Sequence, residues 1–120
     1  MHIEGDAILL RVFIGEADKL GHKALFDAIV EEARAAGLAG ATVLRGIQGF
    51  GLSAKMRSSR ILDLSSDLPV VVEIVDEESK VNAFIETLNG LLEEAASGGL
   101  LTVEKTHVIR YLHGAGGGRR

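Results

Sequence analysis

Residues 40–76 decide the fold, and they have the sequences GATVLRGIQGFG (40–51), LSAKMRSSRILDLSSD (52–67) and LPVVVEIVD (68–76). The first and third segments have the apolar, β-branched composition of strands. Two strands in a hairpin are usually joined by about two to five residues, so the polar segment between them is long. Long loops held between well-defined strands commonly carry function. The stretch therefore predicts a small domain that binds or switches through its loop at 52–67.

The composition is that of a single domain without covalent cross-links. The chain has 120 residues, 47% of them hydrophobic, and no cysteine. This length suffices to bury an apolar core. The lack of cysteine excludes thiol catalysis, thiolate zinc sites and disulfides. No apolar run is long enough to span a bilayer, and the beginning MHIEGDAILL lacks the features of a signal peptide. We expect a soluble, cytoplasmic protein.

The charge balance is mildly acidic, with a formal net charge of -4 at pH 7. Proteins that bind nucleic acid usually present a strongly basic face. The overall charge gives no reason to expect such a face, so no nucleic-acid partner is predicted.

The hydrophobic periodicity predicts six elements in the order β-α-β-β-α-β. Strands are predicted at 7–14, 40–51, 70–75 and 106–112, and helices at about 22–36 and 77–96. Gly37 is expected to end the first helix in a left-handed conformation, Asp76 to cap the start of the second, and residues 97–99 to end it. Residues 101–104 are expected to be irregular. Right-handed crossovers then place both helices on one face of an antiparallel sheet, which is an α+β, ferredoxin-like fold.

The sheet face opposite the helices is too apolar to be left in water. Leu9, Phe13, Val71 and Val75 or their alternates fall on it. A homo-oligomer that packs these faces together explains the pattern, because closed symmetry is the usual form of such association. We expect one domain over residues 1–113 and a flexible Gly/Arg tail over residues 114–120.

Four segments together resemble the PII-like proteins of domain-of-unknown-function family 190, namely LLRVFIGE, GLAGATVLRGIQGFG, DLPVVVEIVDEESKV and VEKTHVIRY. More distantly, GATVLRGIQGFG with its long loop is similar to the strand and T-loop of PII signalling proteins. The resemblance covers about residues 7–111. It implies a homotrimer without catalysis that binds a small anionic effector, such as an adenine nucleotide, in clefts between subunits. It also implies that the loop engages a partner protein, such as a membrane transporter, a channel or an enzyme.

Carried over to this chain, the resemblance places Gly49, Gly51, Ser53 and Arg110 at the effector cleft. Ser53 stands where PII proteins have a glutamine, and Leu112 stands where a second arginine is expected. The segment SGGLLTVEKT, residues 97–106, lacks the PII glycine-rich loop with its phosphate-binding lysine. These departures weigh against a triphosphate such as ATP. They leave open a smaller adenylate, another anion or a different ligand.

The glycines of GIQGFG have two interpretations. Glycine lets backbone N–H groups approach an anion, but it also marks bulges and close backbone contacts. The run is neither a Walker loop nor a dinucleotide fingerprint, since both its spacing and its following residues differ. A structural bulge and a ligand border both remain open for Gly49 and Gly51.

The loop at 52–67 concentrates cations and hydroxyl groups. We predict that it contacts a partner through Lys55, Arg57, Ser58, Ser59 and Arg60. Such cations bind a phosphate or an acidic surface, and the serines are candidates for a modification that neutralises the patch. A solvated loop without this role is the alternative.

Arg110 lies in an apolar strand, where it needs an anion to offset its desolvation. A structural partner such as Glu73 and a bound ligand are the two alternatives.

The four histidines have no metal-site spacing, and no Ser-His-Asp set is identifiable. We therefore expect no metal and no catalysis, and a PII-like regulator is our first hypothesis. The alternatives are a small-molecule enzyme and a CutA-like metal-ion tolerance protein, both on the same trimeric fold.

Overall fold

The computed structural model describes residues 2–51, 57–58 and 68–112, with the backbone alone at residues 2, 57 and 58. Within these ranges, four antiparallel strands form the main sheet in the order β2-β3-β1-β4. The strands are β1 (His2–Gly15), β2 (Thr42–Arg45), β3 (Pro69–Asp76) and β4 (Leu100–Leu112). The helices are α1 (Leu25–Ala35) and α2 (Glu78–Glu94). The predicted α+β, ferredoxin-like fold is confirmed.

Alternation along the two central strands builds the core. β1 lies between β3 and β4, and Leu10 stands opposite both Ile74 and Val103. From Ile8 to Ile14 of β1 and along β3, every second side chain faces the helices and is buried, as are the apolar stripes of α1 and α2. The largest fully buried side chains are Phe84, Leu10, Leu25, Ile29, Ile74 and Leu88. Each contributes roughly 1.5–3 kcal/mol through removal of apolar surface from water.

Both helices end in the same hydrogen-bonded turn. After α1, the N–H of Leu38 donates to the carbonyl of Ala33, and Gly37 has a φ of 79°. After α2, the N–H of Ser97 donates to the carbonyl of Leu92, and the left-handed residue is Ala96, with a φ of 53°. These are Schellman motifs, which satisfy the last free carbonyls of a helix. The prediction for Gly37 is confirmed, whereas α2 ends earlier than predicted and without a glycine at the left-handed position.

Several predicted boundaries are wrong because strand pairing overrides the local pattern. The first helix begins at Leu25, since the preceding residues form a hairpin of Lys19–Leu20 with Lys23–Ala24. Residues 101–104, predicted to be irregular, pair with β1 as part of one long β4. The second strand stops at Arg45, and the short stretch Gln48–Gly49 pairs instead with Arg57–Ser58.

Asp76 has a different role from the predicted helix cap. It is the last residue of β3 and only 1% exposed. Its carboxylate accepts hydrogen bonds from the N–H of Ala39 at 2.8 Å and of Glu77 at 2.6 Å. The N-cap of α2 is Glu77, whose side chain makes no capping bond. Asp76 therefore fastens the segment before β2 to the start of α2.

The sheet face opposite the helices, called here the open face, carries Leu9, Phe13, Val71 and Val75 as predicted. Phe13 is 37% exposed, and the other three are half-buried. At its centre, Arg11 donates hydrogen bonds of 2.9 Å to both Glu73 and Glu104. The open face is thus an apolar surface around one ion cluster that joins β3, β1 and β4. Neither helix of the described residues has the length and apolar character needed to cross a membrane.

Candidate functional site

The glycines at the base of the loop differ in what they contact. The N–H of Gly46 donates to the carbonyl of Pro69 at 2.7 Å, and a Cβ added at Gly46 would lie 2.8 Å from Pro69 Cγ. At Gly49 the corresponding distance is 3.3 Å. These two glycines let the chain pass close to Pro69 where it leaves β2. A Cβ at Gly51 would meet no described atom within 4 Å, so Gly51 has no such packing requirement.

A pocket of about 540 Å³ lies between the loop base, the end of β1 and the segment after α2. Its walls are mainly apolar, with Asp18 and Ser97 as the polar side chains. The lining residues are Phe13, Ile14, Gly15, Asp18, Phe50, Gly51, Pro69, Ala96, Ser97, Gly98, Gly99 and Leu100. Its volume lies in the range of small-molecule sites, so we take it as the candidate binding site.

Asp18 joins two walls of this pocket. Its Oδ2 accepts a hydrogen bond from the N–H of Gly15 at 3.0 Å and another from the hydroxyl of Ser97 at 3.1 Å. The backbone carbonyl of Asp18 also accepts from the N–H of Leu25 at 2.8 Å, which fixes the start of α1. The sequence prediction missed Asp18. An aspartate in a turn after a strand is a local signal, but the contact with Ser97 spans 79 positions of sequence.

The two ends of the loop are fastened to the turn after β1. The N–H of Glu16 donates to the carbonyl of Leu68 at 2.8 Å. The carboxylate of Glu16 forms an ion pair with Arg45 at the end of β2. The turn that carries Asp18 therefore also contacts the chain before and after the loop, at Arg45 and Leu68. These contacts join the pocket wall to the base of the loop.

A second pocket, of about 420 Å³, lies near the other end of β1. Ile3, Tyr111 and Arg110 line it, and the Tyr111 hydroxyl donates to the carbonyl of Ala39 at 2.6 Å. The Arg110 side chain is exposed. Since Ile3 and Phe13 are ten positions apart on one strand, the two pockets are separated by roughly 30 Å.

Within one subunit, the residues that the resemblance placed at a cleft between subunits lie apart. Gly51 lines the 540 Å³ pocket, Gly49 lies against Pro69, and Arg110 lines the other pocket. Glu73 is the partner of Arg11, so the suggested pairing of Glu73 with Arg110 is wrong. Of the other predicted positions, Ser53, Lys55, Ser59 and Arg60 lie outside the described residues, whereas the backbones of Arg57 and Ser58 pair with Gly49 and Gln48.

Hydrogen bonds within the ion cluster of the open face favour the charged form of Arg11. The hydrogen bond from Arg11 to Glu73, followed by the one to Glu104, raises the pKa of Arg11 above its ordinary value. The guanidinium therefore remains protonated throughout the physiological range. No group of three or more side chains suited to a metal ion occurs among the residues that the structure describes.

Comparison with known sequences finds one family across most of the chain. The DUF190 family, described as an uncharacterized ACR, matches residues 7–108. A UPF0166 protein of Aquifex aeolicus strain VF5 is 41% identical over 101 residues, which cover 84% of this chain and 91% of that protein. A UPF0166 protein of Methanocaldococcus jannaschii is 32% identical over 104 residues, which cover 87% and 93% of the two chains.

The solved structures that share this fold include PII-like proteins. CPII of Thiomonas intermedia K12, a nitrogen regulatory PII-like protein bound to ADP, AMP and bicarbonate, has a TM-score of 0.65 at 18% identity. The match covers 90% of this chain and 91% of CPII. A Thermus thermophilus protein described as PII-like has a TM-score of 0.60 at 17% identity, with 88% and 91% covered. At these identities the likeness shows the fold.

Proposed function

Because the chain belongs to the DUF190 (UPF0166) family and has the fold of PII-like proteins, we propose that it is a non-enzymatic regulator. In this proposal it is cytoplasmic and binds a small anionic effector of the adenine nucleotide class. The loop at 52–67 reports the occupancy of the site to a partner protein, such as a membrane transporter or channel.

The observation that carries the proposal is the position of the 540 Å³ pocket at the base of the loop. Phe50 and Gly51 form its wall where the chain enters the loop, and Pro69 forms it just after the chain leaves. A bound molecule therefore contacts both ends of the loop at once. It favours those loop conformations that complete the site, which is a shift of population rather than a catalytic step.

The open face supports assembly into a homotrimer. It exposes apolar side chains from the central strands around an ion cluster, and such a surface is normally covered by another protein surface. Three copies of the chain bury this face against one another around a common axis. The apolar side chains are then removed from water, and the charges of Arg11, Glu73 and Glu104 remain paired with one another.

Assembly also supplies positive charge to the binding site. The described lining of the 540 Å³ pocket contains no lysine, arginine or histidine, so an anionic ligand needs cations from elsewhere. Arg110 lies too far away within one subunit, near the opposite end of β1. The proposal therefore requires a trimer in which the end of one subunit that carries Arg110 lies against the loop base of the next. The loop residues Lys55, Arg57 and Arg60 are a second source of charge.

The choice of an adenine nucleotide is supported by CPII, which was solved with ADP, AMP and bicarbonate. We expect AMP or ADP to raise the melting temperature of the protein, because a ligand that binds only the folded state stabilises it by mass action. At a ligand concentration of one hundred times Kd the gain is about 2.7 kcal/mol. Thermal melting with AMP, ADP, ATP, cyclic AMP, bicarbonate and divalent metal ions measures the effect.

Two controls separate the alternatives. Chromatography of the nucleotide after long incubation is expected to recover it intact, whereas steady consumption would indicate an enzyme. Stabilisation by metal ions alone would instead favour an ion-binding protein. The proposal fails if none of the nucleotides changes the melting temperature at millimolar concentration.

A further inference from the structure

The 540 Å³ pocket has an unusual charge for a site that accepts an anion. Among its described lining residues the one ionisable side chain is the carboxylate of Asp18. A phosphate placed beside this carboxylate would be repelled, and the apolar walls would strengthen the repulsion. The phosphate of a nucleotide must therefore point away from Asp18.

Asp18 keeps an acceptor for a ligand. Among the residues that the structure describes, both donors to its side chain, the N–H of Gly15 and the hydroxyl of Ser97, bond to Oδ2. Neither bond uses Oδ1. An ionised carboxylate only accepts hydrogen bonds, so the matching ligand group is a hydroxyl or an amine. A divalent cation is a poorer match, because Mg²⁺ and Ca²⁺ need several oxygen ligands and this wall offers one carboxylate.

An aromatic ring provides a surface for a flat group beside this acceptor. Phe50, which does not belong to the open face, is 73% exposed on this pocket. Bases of any sequence stack on aromatic side chains, since every base has a π-face. The pocket therefore combines a place for a base with an acceptor for a neighbouring donor.

We infer that this pocket holds the nucleoside part of the effector, with a ribose hydroxyl donating to Asp18 and the base against Phe50, while the phosphate points out towards cations beyond the pocket. This inference rests on the proposed function and adds the orientation and the sugar specificity of the ligand. A carboxylate that accepts from a ribose 2′-hydroxyl is a general means of selecting a ribonucleoside.

The test compares AMP, 2′-deoxy-AMP and IMP by titration calorimetry on the wild-type protein and on Asp18→Asn. For the wild type we expect 2′-deoxy-AMP to bind about tenfold or more weakly than AMP, because it leaves a charged acceptor unpaired. IMP lacks the amino group of adenine and is expected to bind within about threefold of AMP. In Asp18→Asn the amide oxygen still accepts from Gly15 and Ser97, and an NH₂ group replaces Oδ1. That variant is expected to bind AMP more weakly and to lose the preference for the 2′-hydroxyl.

Asp27→Asn is the matched control, since Asp27 is exposed on α1 and outside the pocket. It is expected to keep the wild-type preference for AMP over 2′-deoxy-AMP.

Circular dichroism verifies that each variant is folded. If Asp18→Asn is unfolded, the relative affinities of the wild-type protein for the three nucleotides still test the inference. Equal binding of AMP and 2′-deoxy-AMP overturns the inference and leaves the proposed function standing, as does a preference retained in folded Asp18→Asn. If the affinity falls more with IMP than with 2′-deoxy-AMP, the contact of Asp18 is with the base, and the inference is also overturned. Failure of every nucleotide to bind overturns the proposed function itself.

Discussion

At the scale of single residues, the glycines at the loop base have different reasons to be there. Gly46 is required by the close approach of Pro69, whereas a Cβ at Gly51, on the wall of the candidate site, would meet no described atom within 4 Å. The sequence alone presents both as members of one glycine-rich run. Only the position of Pro69, which follows the loop, separates a packing role from a position at the site.

We predict that Gly46→Ala destabilises the protein by about 1–3 kcal/mol, because its Cβ would lie 2.8 Å from the Pro69 ring and force the two segments apart. Urea unfolding measures the change. Gly90→Ala is the matched control: Gly90 lies in α2, and an added Cβ there meets no described atom within 4 Å. It is expected to stabilise by about 0.5–1 kcal/mol through helix propensity. Equal effects of the two substitutions would contradict the assigned contact.

At the scale of elements, the end of α2 forms one wall of the candidate site. Its Schellman motif places Ala96 in a left-handed conformation, and the chain then passes through Ser97 to β4. Ser97 is held there by Asp18. The turn that ends α2 thus positions Ser97 in the wall of the proposed binding site.

We predict that Ala96→Gly stabilises the protein by about 0.5–1 kcal/mol, since glycine adopts a φ of 53° without the steric cost of a Cβ. Ala95→Gly is the control one residue earlier. Its φ is -79°, where a Cβ has no steric cost that glycine would remove. That variant is expected to lower stability by a similar amount, through loss of backbone entropy. Thermal melts of both variants decide, and a lower melting temperature for Ala96→Gly would refute the conformational explanation.

At the scale of the whole molecule, the open face is an apolar surface without a described cover. Its ion cluster is built from three strands, with Arg11 of β1 between Glu73 of β3 and Glu104 of β4. In the proposed trimer these charges are buried in the interface, so the stability of the trimer depends on their pairing. Removal of one partner from a buried pair costs about 3–5 kcal/mol because it leaves an uncompensated charge.

We therefore predict that Arg11→Ala converts the trimer largely into monomers at micromolar concentration, because two carboxylates would be buried without their cation. Light scattering coupled to size-exclusion chromatography measures the mass. Arg34→Ala, at an exposed position of α1, is the control and is expected to remain trimeric. A wild-type monomer would refute the proposed assembly, and a trimeric Arg11→Ala would refute the role of the ion cluster.

The sequence by itself determined the order of elements, the buried faces and the apolar character of the open face. These follow from periods of two and 3.6 residues, which are local properties of the chain. The glycine-rich run and the long loop after it also located one wall of the candidate site.

The tertiary structure alone decided how the site and the ion cluster are composed. Asp18 meets Ser97 across 79 positions, and Arg11 meets Glu73 across 62 and Glu104 across 93. Asp76 binds the backbone of Ala39 instead of capping a helix, and Pro69 explains Gly46. Such contacts depend on how the strands align after the chain has folded. No local period encodes that alignment, because each contact joins segments that are distant in sequence.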